Sequence, residues 1–189
     1  LAIVHYKEVL KRPTSIYTEE CAGVVSKYEY EAGNYNDAVG YYEQLEATAS
    51  YPESKLAAQI GLMRCHTFNK RFDLAKGYAT QVLASDLALE NAKIEANYVL
   101  GKAEFESANY EAAIPYFRSV AGDTKAEIGA ESQFTIALIY HLQEEYKKSE
   151  DEIRTLMKEQ AGYDYWVAKA LILQAKNSIG MEDYVQAEY

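Results

Sequence analysis

The stretch Leu100–Val120, LGKAEFESANYEAAIPYFRSV, decides how the chain is read. Leu100 and Gly101 belong to one helical segment, Ser107 and Asn109 mark a short polar turn, and Tyr110, Ala113, Phe117 and Val120 follow. Ala113, Phe117 and Val120 stand four and three residues apart, the spacing of one stripe along a helix. A turn this short between two helices leaves room only for an antiparallel hairpin. One hairpin cannot bury both of its faces, so its fate depends on whether the chain supplies others.

It does. An aromatic residue followed three positions later by a small one occurs five times, as Tyr35 and Ala38, Phe72 and Ala75, Tyr110 and Ala113, Tyr146 and Ser149, and Tyr184 and Ala187. The aromatics recur at steps of 37, 38, 36 and 38 residues. A fixed period between about 20 and 50 residues is the mark of stacked supersecondary units. Four residues beyond the small one stand Tyr42, Ala79, Phe117 and Ile153, and three further on Leu45, Val82, Val120 and Leu156. Twelve residues before it stand Ser26, Met63, Gly101, Ala137 and Ala175, with only Met63 large. Small side chains facing one another let two helix backbones approach. Gly101 is therefore expected opposite Ala113, with the aromatic plugging the turn and the stripe packing on the next hairpin.

Helices are expected near 2–11, 15–31, 35–48, 53–68, 72–84, 89–106, 110–121, 125–142, 146–159, 165–180 and 183–189. Ser50 with Glu53, and Thr124 with Glu127, have the spacing of capping boxes. Pro115 is expected within about one turn of a helix start, where its missing N–H costs little. Trp166 is expected just ahead of a helix, as a packing residue between repeats.

Composition narrows the function. Hydrophobic residues make up 49% of the 189 and charged ones 25%, ordinary for a globular chain. Ten Gly and three Pro favour helix. No apolar run approaches the roughly 18 residues a membrane span needs. A net charge of −10 disfavours nucleic acid, whose binding relies on neutralised phosphates, and anionic membrane surfaces alike. Cys21 and Cys65 are too few for a disulfide framework and form no CxxC pair, so they are expected as small buried helix residues. His5, His66 and His141 make no HExxH or other metal-ligand spacing, and no glycine-rich phosphate loop is present. Cys65 and His66, one apart on a helix, point in different directions. No enzyme, cofactor or metal site is expected.

Leu100-Gly101, Ala103, Phe105, Asn109-Tyr110, Glu111, Ala113-Ile114, Tyr116-Phe117 and Val120 resemble a tetratricopeptide repeat (TPR) almost throughout. The resemblance covers essentially the whole chain and implies an all-α, right-handed superhelical solenoid of about five repeats spanning 1–189. The opening LAIVHYKEVL is similar to the second helix of a preceding repeat, and the end falls inside a repeat, as in a piece of a longer protein. The repeats run longer than the usual length of about 34 residues, with the extra residues between hairpins, as at Thr48-Ala49-Ser50-Tyr51-Pro52-Glu53. Such repeats, and the segment DYWVAKALILQAKNSIG, are similar in style to bacterial cell-envelope TPR proteins of the outer-membrane assembly lipoprotein and Tol–Pal-associated types. That resemblance implies a periplasmic or outer-membrane-associated location.

In TPR arrays the first helix of each pair lines a concave groove that holds extended peptides or partner helices. Carried over, one groove position is Lys27, Arg64, Lys102, Leu138 and Lys176. A second is Tyr30, Thr67, Phe105, His141 and Ile179, with Phe68 beside Thr67, and a third is Gly23, Ile60, Tyr98, Phe134 and Ile172. Cations beside rings suit a protein or peptide partner with acidic groups, each charge-assisted contact contributing roughly 1.5–3 kcal/mol. Glu20, Ala57, Glu95 and Glu131 precede Lys27, Arg64, Lys102 and Leu138 by seven residues, so the face is mixed in sign. Lys27 and Lys102 also have Glu31 and Glu106 one turn on, as in ordinary surface pairs. The expected function is a scaffold or adaptor for protein–protein interaction. The alternative is a structural spacer that self-associates through its end repeats. Ala113→Phe should overfill a hairpin and lower stability by about 1–3 kcal/mol, read by thermal melting.

Overall fold

The computed structural model describes residues 2–182. The helix expected over 183–189, with Tyr184 and Ala187, lies outside the described residues. The described residues form ten helices and no strand: α1 (Ala2–Leu10), α2 (Thr18–Glu31), α3 (Tyr35–Thr48), α4 (Pro52–Phe68), α5 (Phe72–Ala84), α6 (Glu90–Glu106), α7 (Tyr110–Asp123), α8 (Glu127–Leu142), α9 (Tyr146–Glu159) and α10 (Asp164–Gly180). Two compact units divide them, Leu1–Ala103 and Glu104–Tyr189.

In the first unit α1 packs on α2, α2 on α3, α3 on α4 and α4 on α5, while α2 also touches α4. Its core joins Ala22 of α2, Ala38, Tyr42 and Leu45 of α3, and Ala58, Leu62 and Cys65 of α4. In the second unit α8 packs on α7 and α9, and α10 on both α8 and α9. There Ala130, Phe134 and Ala137 meet Ile153, Leu156, Trp166, Ala170 and Leu173. The small residue of each recurring pair and the two stripe positions after it are buried in every described copy. Ala38, Tyr42 and Leu45, Ala75, Ala79 and Val82, Ala113, Phe117 and Val120, and Ser149, Ile153 and Leu156 are all buried.

The hairpin in which Ser149 replaces the alanine of the other copies shows the contact directly. Ser149 of α9 donates its hydroxyl proton to the carbonyl of Ala137 on α8 at 2.8 Å, across the twelve-residue spacing. A buried hydroxyl needs such partners. Ser149 Oγ also accepts from Asn177 Nδ2 at 2.9 Å, and Asn177 Oδ1 meets His141 Nδ1 at 2.7 Å. Close packing elsewhere is as tight. A Cβ on Gly61 of α4 would lie 2.3 Å from the Tyr42 ring of α3, and one on Gly180 2.5 Å from the Tyr146 ring.

The hairpin turns repeat as strictly as the stripes. Gly33, Lys70, Ala108, Glu144 and Glu182 all have φ between 56° and 78°, the left-handed region, and they keep the period of the aromatics. In the first four, the N–H of the left-handed residue bonds the carbonyl three before it, and the next N–H bonds the carbonyl five before it. Gly33 to Tyr30 and Asn34 to Glu29 are the first pair, at 3.0 and 2.9 Å. Ala108 to Phe105 and Asn109 to Glu104, both at 2.9 Å, are the third. This is the Schellman end of a helix, which satisfies its last carbonyls and reverses the chain. Only the first copy uses glycine; the other four hold a side chain where each costs roughly 1 kcal/mol.

Several local expectations are corrected. No capping box forms. α4 begins at Pro52 after Tyr51, with no side-chain cap, and the Ser50 N–H goes to Glu19 Oε2 at 2.9 Å. α8 begins after Ala126, whose N–H bonds Thr124 Oγ1 at 3.0 Å in a local turn. α2 starts at Thr18 instead of Ser15, because Thr18 Oγ1 accepts the Ser15 N–H at 2.8 Å and closes a turn. Pro115 lies in the second turn of α7, past the residues whose N–H groups are unpaired anyway. The helix runs on to Asp123, with Glu111 lacking the usual N–H donor four residues on. Trp166 sits within the first turn of α10 and packs on Phe134 of α8, ring centroids 5.6 Å apart.

Glu29 of α2 is 2% exposed. Lys7 Nζ of α1 approaches it at 2.6 Å and Asn34 Nδ2 donates to it at 2.7 Å, and these bonds hold its carboxyl below the ordinary 4.5. Burial lowers His66 from 6.5, with Arg71 adding to the effect against Glu43. Both groups take up protons more readily in the unfolded chain, so both contribute stability that is lost as pH falls.

Two outcomes follow. Ala108→Gly should raise stability by about 0.5–1 kcal/mol in urea unfolding, by removing the left-handed penalty. Stability should decline in two stages on acidification, below 6.5 from His66 and below 4.5 from Glu29. His66→Phe should remove the first stage and Glu29→Gln the second in unfolding curves taken across pH.

Candidate functional site

A trough lies between α2 and α4, and the connection into α6 completes its lining. The cavity there measures about 590 Å³. Gly23, Lys27, Tyr30 and Glu31 of α2 form one wall, Tyr42 and Leu45 of α3 the floor, and Leu56, Ala57, Ile60 and Arg64 of α4 the other. Leu87 and Leu89, in the connection, and Asn91 and Ala92 of α6 complete it. Leu87 and Leu89 are exposed, Leu89 by 74%. The cavity lining is mainly apolar. Burial pushes the Tyr42 phenol on the floor up to about 12, so it stays a neutral hydroxyl.

Three residues expected in the groove, Lys27, Tyr30 and Arg64, line this cavity together with Gly23 and Ile60 from the same positions. Their electrostatics differ. Arg64 is held in a fork by Glu95 of α6, with Nε donating to Oε1 at 2.8 Å and Nη2 to Oε2 at 2.6 Å. That pairing raises the Arg64 pKa further and ties its charge down. Lys27 has Glu31, one turn along its own helix, at 3.9 Å, with both side chains mostly in solvent. Lys102 is half-buried, its Nζ 5.8 Å from the centre of the Tyr98 ring. Lys176 is exposed on α10.

At the second groove position the rings also meet the hairpin turns. Tyr30, Phe105 and His141 each pack on the turn aromatic five residues later: Tyr35 at 5.5 Å, Tyr110 at 5.7 Å and Tyr146 at 5.7 Å between ring centres. Phe68 stacks flat on Tyr35 at 4.4 Å and meets Tyr30 edge-on. These rings secure hairpins, and His141 is further bound to Asn177. Phe134, expected on the open face, is 7% exposed and belongs to the core of the second unit.

One cluster escaped the sequence reading. Lys169 Nζ lies 5.0, 5.1 and 4.7 Å from the ring centres of Phe134, Tyr165 and Trp166, a cation held by aromatic faces. Lys169 stands four residues after Tyr165 and three after Trp166, a spacing the sequence shows, but Phe134 comes from another helix. Cys65 and His66 do not combine. Cys65 is buried in the first core and pushed up to about 11 by burial, while His66 stacks on Tyr78 of α5. Among the described residues no group of three or more His, Cys, Asp or Glu could hold a metal ion, and no helix is long and apolar enough to cross a membrane.

No protein-family model matches the chain, and no curated protein matches it. Solved structures do. A crystal structure of MamA protein superposes with a TM-score of 0.73 at 15% identity, covering 91% of this chain and 87% of that one. YrrB, described as a TPR protein with an unusual peptide-binding site, gives 0.67 at 12% identity over 96% of this chain and 86% of its own. A putative kinesin light chain of Podosopora anserina with nearly identical TPR-like repeats gives 0.65 at 15% identity, with 92% of each chain covered. Taken with the recurring hairpins, these likenesses show that the chain has the all-α fold of TPR-like helical-repeat proteins.

Proposed function

We propose that this protein is a non-enzymatic interaction scaffold and that the trough between α2 and α4 receives a segment of a partner protein. The observation that carries the reading is the 590 Å³ cavity on the first-helix face. It falls within the roughly 300–1,000 Å³ of ordinary ligand pockets, and its apolar floor and charged rim match the anatomy of a recognition site. The description of YrrB, a protein of this fold, as having a peptide-binding site lends support by analogy of fold. The length of the repeats is the support for a role in a bacterial cell envelope.

A second reading has its own observation. Tyr165, Leu171, Ile172 and Ile179 of α10 are each more than half exposed. An apolar helix face of this kind suits self-association, and Ile179→Lys with Leu171→Lys would suppress it in light scattering.

The scaffold reading is tested by affinity capture followed by mass spectrometry, comparing the wild type with Leu89→Glu and Ile60→Glu. A carboxylate placed where the partner's apolar side chain would dock should reduce recovery of the bound protein at least about tenfold. Unchanged recovery by both variants would contradict a partner seated in the trough.

A further inference from the structure

The repeat makes a rung between neighbouring first helices. Arg64 of the second copy bonds Glu95 of the third, closing the rim with a two-pronged ion pair. One period earlier the same two positions are Lys27 and Ala57. The cation is kept and its carboxylate is missing. Ala57 is exposed and lines the cavity, and the Lys27 side chain is 74% exposed, with Glu31 at 3.9 Å on its own helix. The broken rung therefore opens onto an apolar cavity, while the intact one beside it already carries its acid.

We propose that the cavity recognises a peptide segment bearing one acidic side chain next to a large apolar one. The partner's carboxylate takes with Lys27 the place that Glu95 takes with Arg64, and the apolar side chain enters the space between Leu45, Leu56 and Leu89. This rests on the scaffold reading above and adds the chemistry of the partner. Charge complementarity limits the site to one acid. Glu31 and Glu53 also line the rim and repel a second carboxylate, and Arg64 is occupied by Glu95. Of the two groove cations that line this cavity, Arg64 is bound to Glu95 and Lys27 is the one turned to solvent.

The test is fluorescence anisotropy with labelled, end-blocked glycine–serine heptapeptides that carry one aspartate beside one phenylalanine. Their asparagine twins and triple-aspartate versions serve as comparisons. The wild type should bind the single-aspartate peptide roughly tenfold or more tighter than its asparagine twin, and tighter than the triple-aspartate version. Lys27→Met should erase the difference between the aspartate and asparagine peptides. Ala57→Glu, at an exposed position that leaves the core intact, should supply the missing rung and weaken the aspartate peptide to the level of its twin. Circular dichroism melts establish that both variants fold. Equal binding of the aspartate and asparagine peptides, abolished by Leu89→Glu, would overturn the carboxylate assignment and leave the scaffold reading standing. Failure of the wild type to bind any peptide of the set would overturn both.

Discussion

Everything in this molecule depends on two helix backbones coming close where their side chains are small. Ala38, Ala75, Ala113 and Ser149 are fully buried, and so are the small Ser26 and Ala137 twelve residues before two of them; at that position in the second copy the larger Met63 is buried instead. A hairpin made this way shows its remaining apolar stripe on the outside and cannot be stable alone. The next hairpin covers it, as Ala58, Leu62 and Cys65 cover Tyr42 and Leu45 in the first unit, and Trp166, Ala170 and Leu173 cover Ile153 and Leu156 in the second. Stability in such an arrangement is a sum over neighbours.

The proposed scaffold role rests on what this packing leaves over. Rings at the turn are consumed in closing hairpins, which is why Tyr35, Phe68 and Tyr30 stack on one another. Charges on the first helices are partly consumed in bridging copies, as Arg64 is by Glu95. What remains is an apolar trough with a sparse charged rim. A repeat in which one rung is missing is better suited to recognising a particular partner than one in which every rung is alike, because asymmetry sets the register in which a segment can lie.

Much of the fold was legible because period and stripe are direct consequences of burial. Nine of the ten helices begin and end within two residues of expectation, and α2 alone starts three residues late. The details that failed depend on competition between local bonds. Ser50 and Thr124 had capping-box spacing, but Glu19 accepts the Ser50 N–H in place of Glu53, and Thr124 Oγ1 accepts from Ala126 in a local turn. The left-handed turns escaped notice because Lys70, Ala108, Glu144 and Glu182 are not residues that announce that conformation; only Gly33 is. For the site, Lys27, Tyr30 and Arg64 could be carried to one face by the repeat. The pairing of Arg64 with Glu95 across 31 residues, and the burial of Phe134, needed coordinates.

The central claim is that hairpin packing recurs with the period of the sequence. Native-state hydrogen exchange across the amides of α2 to α10 tests it most directly. The account predicts maxima of protection recurring every 36–38 residues, centred on the segments holding Ala38, Ala75, Ala113 and Ser149. Protection gathered in a single block, with those four segments exchanging at unrelated rates, would contradict it.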